Sequence, residues 1–399
     1  MLLRPLVVIS REECEEELRR VEVDHSCIDI FIEKRDSFLL KITGLSTPAA
    51  NILKQIAISF GADVAVHREV ITGKVDCSDA IFMGTKRQLR RTVLALSSQP
   101  FGLAGLERQV AELLSRLDKL PAAIDLPLGK LTFDRPLIMG VLNVTPDSFS
   151  DGGLFLEPDA ARRRIDEMIE QGADIVDVGA ESTRPGSDPV PVSEQLRRLS
   201  SIFDHLQTRH VLWSIDTTDP DVARAALDKG ASIVNNVSGG ANPALWQLAG
   251  EYRAAFVLMH IQGTPKIMQQ DPHYDDFNAE LFRFFSNKLA EIQASDFPRD
   301  RVIIDPGIGF GKRVTDNTAA IRRLGELRAF GSPILVGASR KSFLGKLLGL
   351  EVNDRLEASL ASAVLAFAGG ANILRVHDVS QTRKALDAAA AIRSANGEE

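Results

Sequence analysis

"LIMGVLNVTPDSFSDGGLFLEPDAARRRIDEMIEQGADIVDVGAE", residues 137–181, decides the fold. It opens on an apolar run, breaks after Asn143 into a loop rich in Thr, Pro, Asp, Ser and Gly, and closes on a second apolar run that ends at Glu181. Between the runs, "PDAARRRIDEMIEQG" has Pro near its start and Gly at its end, the usual punctuation of a helix. Buried strand, helix and buried strand in succession make one βαβ unit, the building block of a parallel sheet.

The same rhythm continues to the C-terminus. Eight apolar runs alternate with helical stretches: "PLIMGVLNV", "ADIVDVGAE", "HVLWSIDTT", "SIVNNVS", "AAFVLMHI", "RVIIDPGIGF", "PILVGAS" and "NILRVHD". Eight β/α repeats in about 270 residues have the size of a (β/α)8 TIM barrel. A doubly wound sheet, with about five to seven strands, repeats less evenly. Upstream, residues 1–120 read as a smaller α/β domain. "SCIDIFIEK", "SFLLKITGL", "ADVAVHREV" and "DAIFMGT" look like strands, and "TPAANILKQIAISFG", "KRQLRRTVLALSS" and "LAGLERQVAELLSRLDKL" like helices. "KLPAAIDLPLG" reads as a linker over 121–130, with the barrel domain spanning 126–399. The expected class is therefore α/β, a TIM barrel preceded by a smaller α/β domain.

A composition of 44% hydrophobic and 25% charged residues is that of an ordinary globular protein. A net charge of −7 argues against a nucleic-acid partner held by a broad basic surface. Cys14, Cys27 and Cys77 form neither a disulfide framework nor a paired metal motif, which fits a reducing cytosol and leaves the barrel without a cysteine nucleophile. The N-terminal apolar run is too short for a signal peptide, and "ASLASAVLAFAGGANIL" is interrupted by Ser, Gly and Asn. The expectation is a soluble cytoplasmic protein with no membrane partner.

Nearly every run ends on a polar group: Asn143; Asp177 and Glu181; Asp216; Asn235 and Asn236; His260; Asp305; Ser339 with Lys341 beyond; Arg375 and His377. TIM barrels carry their active sites at these strand ends. Helix caps and turns would account for any one such residue, but not for carboxylates, a Lys, an Arg and a His converging together. Arg375 and His377, two apart, face one side of a strand and form a cradle for phosphate. "GIGFGK" fails as a dinucleotide or P-loop motif, because Lys312 takes the third Gly position and Arg313 follows it. "DSFSD" lacks the later Gly and Glu of a calcium loop. Lys341, in a loop beside Arg340, favours an electrostatic role over a Schiff base. Lys86, Arg87, Arg90 and Arg91 read as a solvated helix face.

Taken together, "GVLNVTPDSFSDGG", "DVGAESTRPGS", "SIDTT", "LMHIQGTPKIMQ", "IIDPGIGFGK", "SRKSFLG" and "RVHDV" closely resemble the dihydropteroate synthases, in that family's order and spacing, over residues 126–395. The resemblance implies a TIM-barrel transferase of folate biosynthesis. It condenses 6-hydroxymethyl-7,8-dihydropterin diphosphate with p-aminobenzoate, releases pyrophosphate and uses Mg²⁺. By motif, Asp216, Asn235, Asp305 and Lys341 would hold the pterin, with Asp177 and Met259 nearby. Asn143, Arg375 and His377 would bind the diphosphate, Asn143 its Mg²⁺ as well. Thr183, Arg184, Pro185, Phe310 and Ser342 would form the p-aminobenzoate site, with "TPDSFSDGG" and "STRPGS" as closing loops. Asp305, Lys341, Arg375 and His377 would carry the chemistry, and the family suggests a homodimer.

One departure is visible: where the family commonly reads Asn-Asp, this chain has Asn235-Asn236, expected to remove a carboxylate beside the pterin pocket. Two rivals are a methyltetrahydrofolate:corrinoid methyltransferase and a non-catalytic pterin-binding paralogue. The first has little use for Arg375 with His377, and the second need not keep the loop motifs. The first 120 residues show no kinase-like or aldolase-like motif and leave that domain's role open.

Overall fold

The computed structural model describes residues 3–8, 10–117, 121–144, 158–181, 190–264 and 266–394. The chain divides into two compact units, one within Met1–Lys119 and the other within Leu120–Ser394.

The first unit contains helices α1 (Arg11–Arg20) and α2 (Ile28–Ile32), strand β1 (Ser37–Ser46), helix α3 (Thr47–Ser59), strands β2 (Asp63–Val66) and β3 (Cys77–Thr85), and helices α4 (Lys86–Leu96) and α5 (Leu103–Leu117). The strands form an antiparallel sheet in the order β1-β3-β2. Leu53 of α3, Val64 and Phe82 of the sheet, Leu89 and Leu96 of α4 and Leu114 of α5 share one fully buried core. "SCIDIFIEK", expected as a strand, is helical instead. Its buried residues are Ile28 and Ile32, four apart, whereas Ile30 and Phe31 lie exposed, a helical rather than an alternating pattern. Helix α1, which the pattern of apolar runs did not mark, begins at a capping box formed by Ser10 and Glu13.

The second unit opens with a hairpin, β4 (Ile124–Leu126) and β5 (Gly129–Leu131), in the stretch expected to be a linker. The barrel strands follow: β6 (Leu137–Asn143), β7 (Ile175–Gly179), β8 (Leu212–Asp216), β9 (Ile233–Asn236), β10 (Ala255–Met259), β11 (Val302–Asp305), β12 (Leu335–Val336) and β13 (Ile373–Val376). All eight fall within the eight apolar runs. The helices are α6 (Pro158–Glu170), α7 (Val192–Gln207), α8 (Pro220–Asp228), α9 (Pro243–Glu251), α10 (Phe277–Ala294), α11 (Val314–Arg322), α12 (Ser342–Leu348), α13 (Leu356–Ala368) and α14 (Val379–Ser394).

The strands form one parallel sheet in the order β11-β10-β9-β8-β7-β6-β13-β12. A parallel bridge between Ile304 and Ile334 joins its two ends, so the sheet closes into a (β/α)8 TIM barrel. Strand parity sorts the side chains. Ile138, Val176, Trp213, Val234, Phe256 and Ile304 face outward into the layer under the helices. Met139, Ile175, Ile233, Val257, Ile303 and Ile373 face inward near the strand starts, and there Ile124, Leu126, Leu131 and Phe133 of the hairpin segment pack onto them. The hairpin is thus the floor of the barrel. Among the described residues, no helix is long and apolar enough to cross a membrane.

Candidate active site

The inward positions that are apolar at the strand starts turn polar at the strand ends. Two residues beyond Ile175 stands Asp177, beyond Ile233 stands Asn235, beyond Ile303 stands Asp305 and beyond Ile373 stands Arg375; on β8, Asp216 stands four beyond Leu212. A period of two keeps each pair on the same face, so these groups converge inside the mouth of the barrel.

Arg375 organises the centre. Its Nε donates to Asp177 Oδ2 at 2.7 Å and its Nη2 donates to Asp216 Oδ2 at 2.7 Å. Burial disfavours the guanidinium charge, but Asp177 and Asp216 outweigh it and raise the group above its ordinary value. Asp177 is fully engaged: besides Arg375, it accepts from the Ser214 hydroxyl and, at 3.2 Å, from Asn235 Nδ2. Asp216 differs. Its Oδ1 is buried and has no partner among the described residues. Burial pushes this carboxyl up to about 7, with Arg375 pulling the other way. A buried acceptor left open in this way is costly unless a ligand supplies the donor.

A second cluster lies on β11 and the segment before α12. Asp305 Oδ1 accepts from the Gly307 N–H at 2.7 Å; burial raises this carboxyl, opposed first by Lys341. Lys341 is lowered to about 8 by burial, against the pull of Asp305. Its ammonium donates to the Ile308 carbonyl and stands 4.5 Å over the Phe310 ring. Phe310 in turn packs with Met259, Met268 and Val237 in a small apolar cluster. Ser342 is the first residue of α12, and a cavity of about 290 Å³ is bordered by Gln269, Gly309, Lys312, Asn317, Ser342 and Lys346. None of the carboxylates of β7 and β8 lines it.

His377 falls one residue past the end of β13. Its Nδ1 is 3.1 Å from the Ser339 hydroxyl, which also accepts from the His377 N–H at 3.2 Å. Burial, then the neighbouring Arg375, lower the imidazole to about 4, so at neutral pH it is an uncharged hydrogen-bonding group. Asn143 ends β6, half-buried, and its side chain has no hydrogen-bond partner among the described residues.

Two rim residues point elsewhere. Asn236, expected beside the pterin pocket, follows inward-facing Asn235 and so faces outward. Its Oδ1 accepts from Ser238 N, Ser238 Oγ and Gly240 N, and its Nδ2 donates to the Thr217 carbonyl, a turn-holding role. His260 likewise follows inward-facing Met259 and is buried among Tyr274, Phe277 and Phe284. Thr183, Arg184 and Pro185, with the "TPDSFSDGG" and "STRPGS" loops, lie outside the described residues. Ser214, which clamps Asp177, was not singled out in the sequence, although its spacing of two from Asp216 places it on the same inward face.

Residues 139–377 match the model of the family described as "Pterin binding enzyme". The dihydropteroate synthase of Escherichia coli is 42% identical over 266 residues, which are 66% of this chain and 94% of that protein. The bifunctional dihydropteroate synthase/dihydropteroate reductase of Helicobacter pylori is 35% identical over 368 residues, 91% of this chain and 92% of its own. In structure, the dihydropteroate synthase of Xanthomonas albilineans with 4-aminobenzoic acid superposes with a TM-score of 0.65 at 40% identity, covering 69% of this chain and 99% of that one. The motifs of the strand ends, the closed barrel and these matches agree: the chain belongs to the pterin binding enzymes and, among them, to the dihydropteroate synthases, which are transferases.

Proposed function

We propose that the barrel joins p-aminobenzoate to 6-hydroxymethyl-7,8-dihydropterin diphosphate, with the residues of the mouth in the following roles. The observation that carries the reading is the open, buried Oδ1 of Asp216, set beside Arg375 at the strand ends. A pterin ring supplies the N–H donors that such an acceptor lacks. Asp216 and Asn235 hold that ring, Asp177 keeps Arg375 and Asn235 in place, and Met259 gives it an apolar wall. Asp305 and Lys341 complete the ring's polar contacts. Phe310 and Ser342, with Thr183, Arg184 and Pro185, receive p-aminobenzoate.

In the reaction the C–O bond between the pterin methylene and the diphosphate breaks, and pyrophosphate leaves with the bonding pair. The amine nitrogen of p-aminobenzoate forms the new C–N bond and gives up a proton to solvent. Positive character develops on the methylene, where an ionised Asp305 stabilises it; negative charge develops on the leaving group, where Arg375 and His377 donate hydrogen bonds. The aromatic amine is neutral at pH 7 and needs positioning rather than a base.

Among the described residues no group of three His, Cys, Asp or Glu side chains could hold a metal ion. The donor set fits Mg²⁺ carried by the diphosphate, with the Asn143 amide, unpartnered among the described residues, as a protein contact, since Mg²⁺ commonly keeps substrate phosphates and waters as ligands. Bound there, the ion would offset charge on the leaving group. A cytoplasmic location and a homodimer belong to the same reading; sedimentation of the purified chain tests the latter. The decisive experiment is pyrophosphate release with pterin diphosphate, p-aminobenzoate and Mg²⁺, each omitted in turn. Release without p-aminobenzoate, or none with all three, would sink the proposal.

A second reading concerns the first unit. The H. pylori match covers 91% of this chain, more than the 275 of 399 residues in Leu120–Ser394 can supply, so it runs into the first unit. It also takes in 92% of that relative, so most of a protein named for two activities aligns here. We infer that the first unit takes part in reducing the barrel's product, adding a hydride and a proton across a C=N bond of 7,8-dihydropteroate. The hydride would come from a reduced nicotinamide or flavin. Oxidation of such a donor that does not depend on added dihydropteroate would end this reading.

A further inference from the structure

"GIGFGK", rejected above as a nucleotide motif, ends in a lysine that the reaction does not use. Lys312 is buried at 3% exposure, yet among the described residues its ammonium pairs with no carboxylate. Its three donors are spent on His260 Nδ1 at 2.8 Å, the His260 carbonyl at 3.3 Å and the Phe310 carbonyl at 3.0 Å. With the lysine charged, His260 presents an unprotonated Nδ1 to it. Burial, then Lys312, hold its ring well below the ordinary histidine value, and Phe284 packs edge-on 4.9 Å away. Burial also lowers Lys312, to about 7. A well-packed apolar side chain would fill this space at less cost than an ammonium, so the lysine's contacts need a reason.

The reason lies in what the contacts join. One end is the exit of β10, just after Met259; the other is the loop after β11 that carries Phe310. The two are interleaved. Gly307, at φ +67°, packs so closely that a β-carbon there would lie 1.9 Å from the His260 carbonyl oxygen. Along the loop, four consecutive carbonyls are each taken by a side chain: Ile308 by Lys341, Gly309 by Gln269 at 2.7 Å, Phe310 by Lys312 and Gly311 by the Tyr274 hydroxyl at 2.7 Å. Among the described residues, Lys312 is the side chain whose hydrogen bonds join the β10 exit to the backbone of Phe310, the residue whose ring lies beneath Lys341.

We propose that Lys312 is a positioning residue: by fastening the Phe310 carbonyl to the end of β10, it sets where the Phe310 ring meets p-aminobenzoate. The proposal rests on the synthase reading above. Asp177, Asp216 and Asn235, three of the pterin's contacts, are held by their own network on β7, β8 and β9, so the larger effect should fall on p-aminobenzoate.

The test uses the full chain with Lys312→Met. The expected result is a KM for p-aminobenzoate raised at least tenfold and a lowered kcat, while binding of the pterin diphosphate, measured by calorimetry, changes less than threefold. A KM within twofold of wild type overturns the proposal. So does an equal loss of affinity for both substrates together with a lower Tm, the signature of a merely structural lysine. If K312M does not accumulate as folded protein, Lys312→Gln, whose amide still donates to one carbonyl, carries the test. It should show a smaller rise in the same KM with pterin binding retained, and wild-type constants again overturn the role. Wild-type protein runs alongside. Turnover there with an unaffected variant sinks the role of Lys312 alone, whereas an inert wild type sinks the synthase reading and this role with it.

Discussion

The two ends of the barrel interior are built by the same strands at the same parity, yet they obey different rules. At the strand starts, Met139, Ile175, Ile233, Val257, Ile303 and Ile373 meet the hairpin residues in a dry layer. Burying each such side chain is worth roughly 1.5–3 kcal/mol. Toward the strand ends, the inward faces carry Asp177, Asp216, Asn235, Asp305 and Arg375. Buried ion pairs of this kind add little net stability, because desolvation offsets the attraction. The floor holds the barrel closed, and the mouth gives up that gain to keep charges and one open acceptor in place. If this division is right, substitutions at the two ends should separate stability from activity.

The largest effect is expected at the mouth. Arg375→Ala leaves Asp177 and Asp216 buried without their cation, which should cost about 3–5 kcal/mol in denaturant unfolding. Loss of the hydrogen bond proposed from Arg375 to the leaving group should lower kcat by about 10²–10³-fold in a pyrophosphate-release assay. Wild-type turnover in this variant would break the comparison at its centre. At the floor, Ile303→Ala should lose about 2–5 kcal/mol of stability through the cavity it leaves. Its kcat and both KM values should stay at wild type; a large fall in kcat for folded protein would show that the two ends are not independent.

A smaller effect sharpens the picture through pH. His377 titrates near 4 in the folded state against an ordinary value of 6.5. The unfolded chain therefore binds the proton first as pH falls, and the stability held above pH 6.5 is lost progressively toward pH 4. Relative to His377→Asn, wild type should lose on the order of 1 kcal/mol across that window, the ring being only half-buried. Parallel stability profiles of the two proteins would remove the assignment. The smallest effect is expected at Asn236. Because its side chain faces outward and its Oδ1 only gathers turn donors, Asn236→Asp should change kcat/KM by less than about twofold.

Much of this division is written in the chain. The eight runs predict all eight strands, since a parallel strand buried on both faces needs continuous apolar sequence. The polar residues that end them include every charged group found converging at the mouth, and leave out Ser214, which stands two residues short of its strand end. What the sequence reading missed has two physical sources. One is parity: Asn236 and His260 stand at strand ends, but each follows an inward-facing neighbour, and counting by two from Asn235 and Met259 turns them outward. The other is sparse signal. The hairpin at Ile124–Leu131 has only three residues in each strand, amid Pro and Gly, and its apolar residues find their partners far along the chain. In residues 26–34, a short apolar run did not separate helix from strand, and spacing of the buried residues decided it. Lys312 was weighed only against phosphate motifs, because nothing local shows that its partners are the carbonyls of residues 260 and 310.

The hairpin also determines where the gene can be cut. Because the floor is supplied by residues 124–133, an expression boundary drawn at the first barrel strand, Leu137, would leave the underside of the barrel greasy and prone to aggregation. A boundary near residue 121 keeps the stopper with the vessel. The barrel then has the material to seal itself, and a shuffled or shortened leading domain need not breach it.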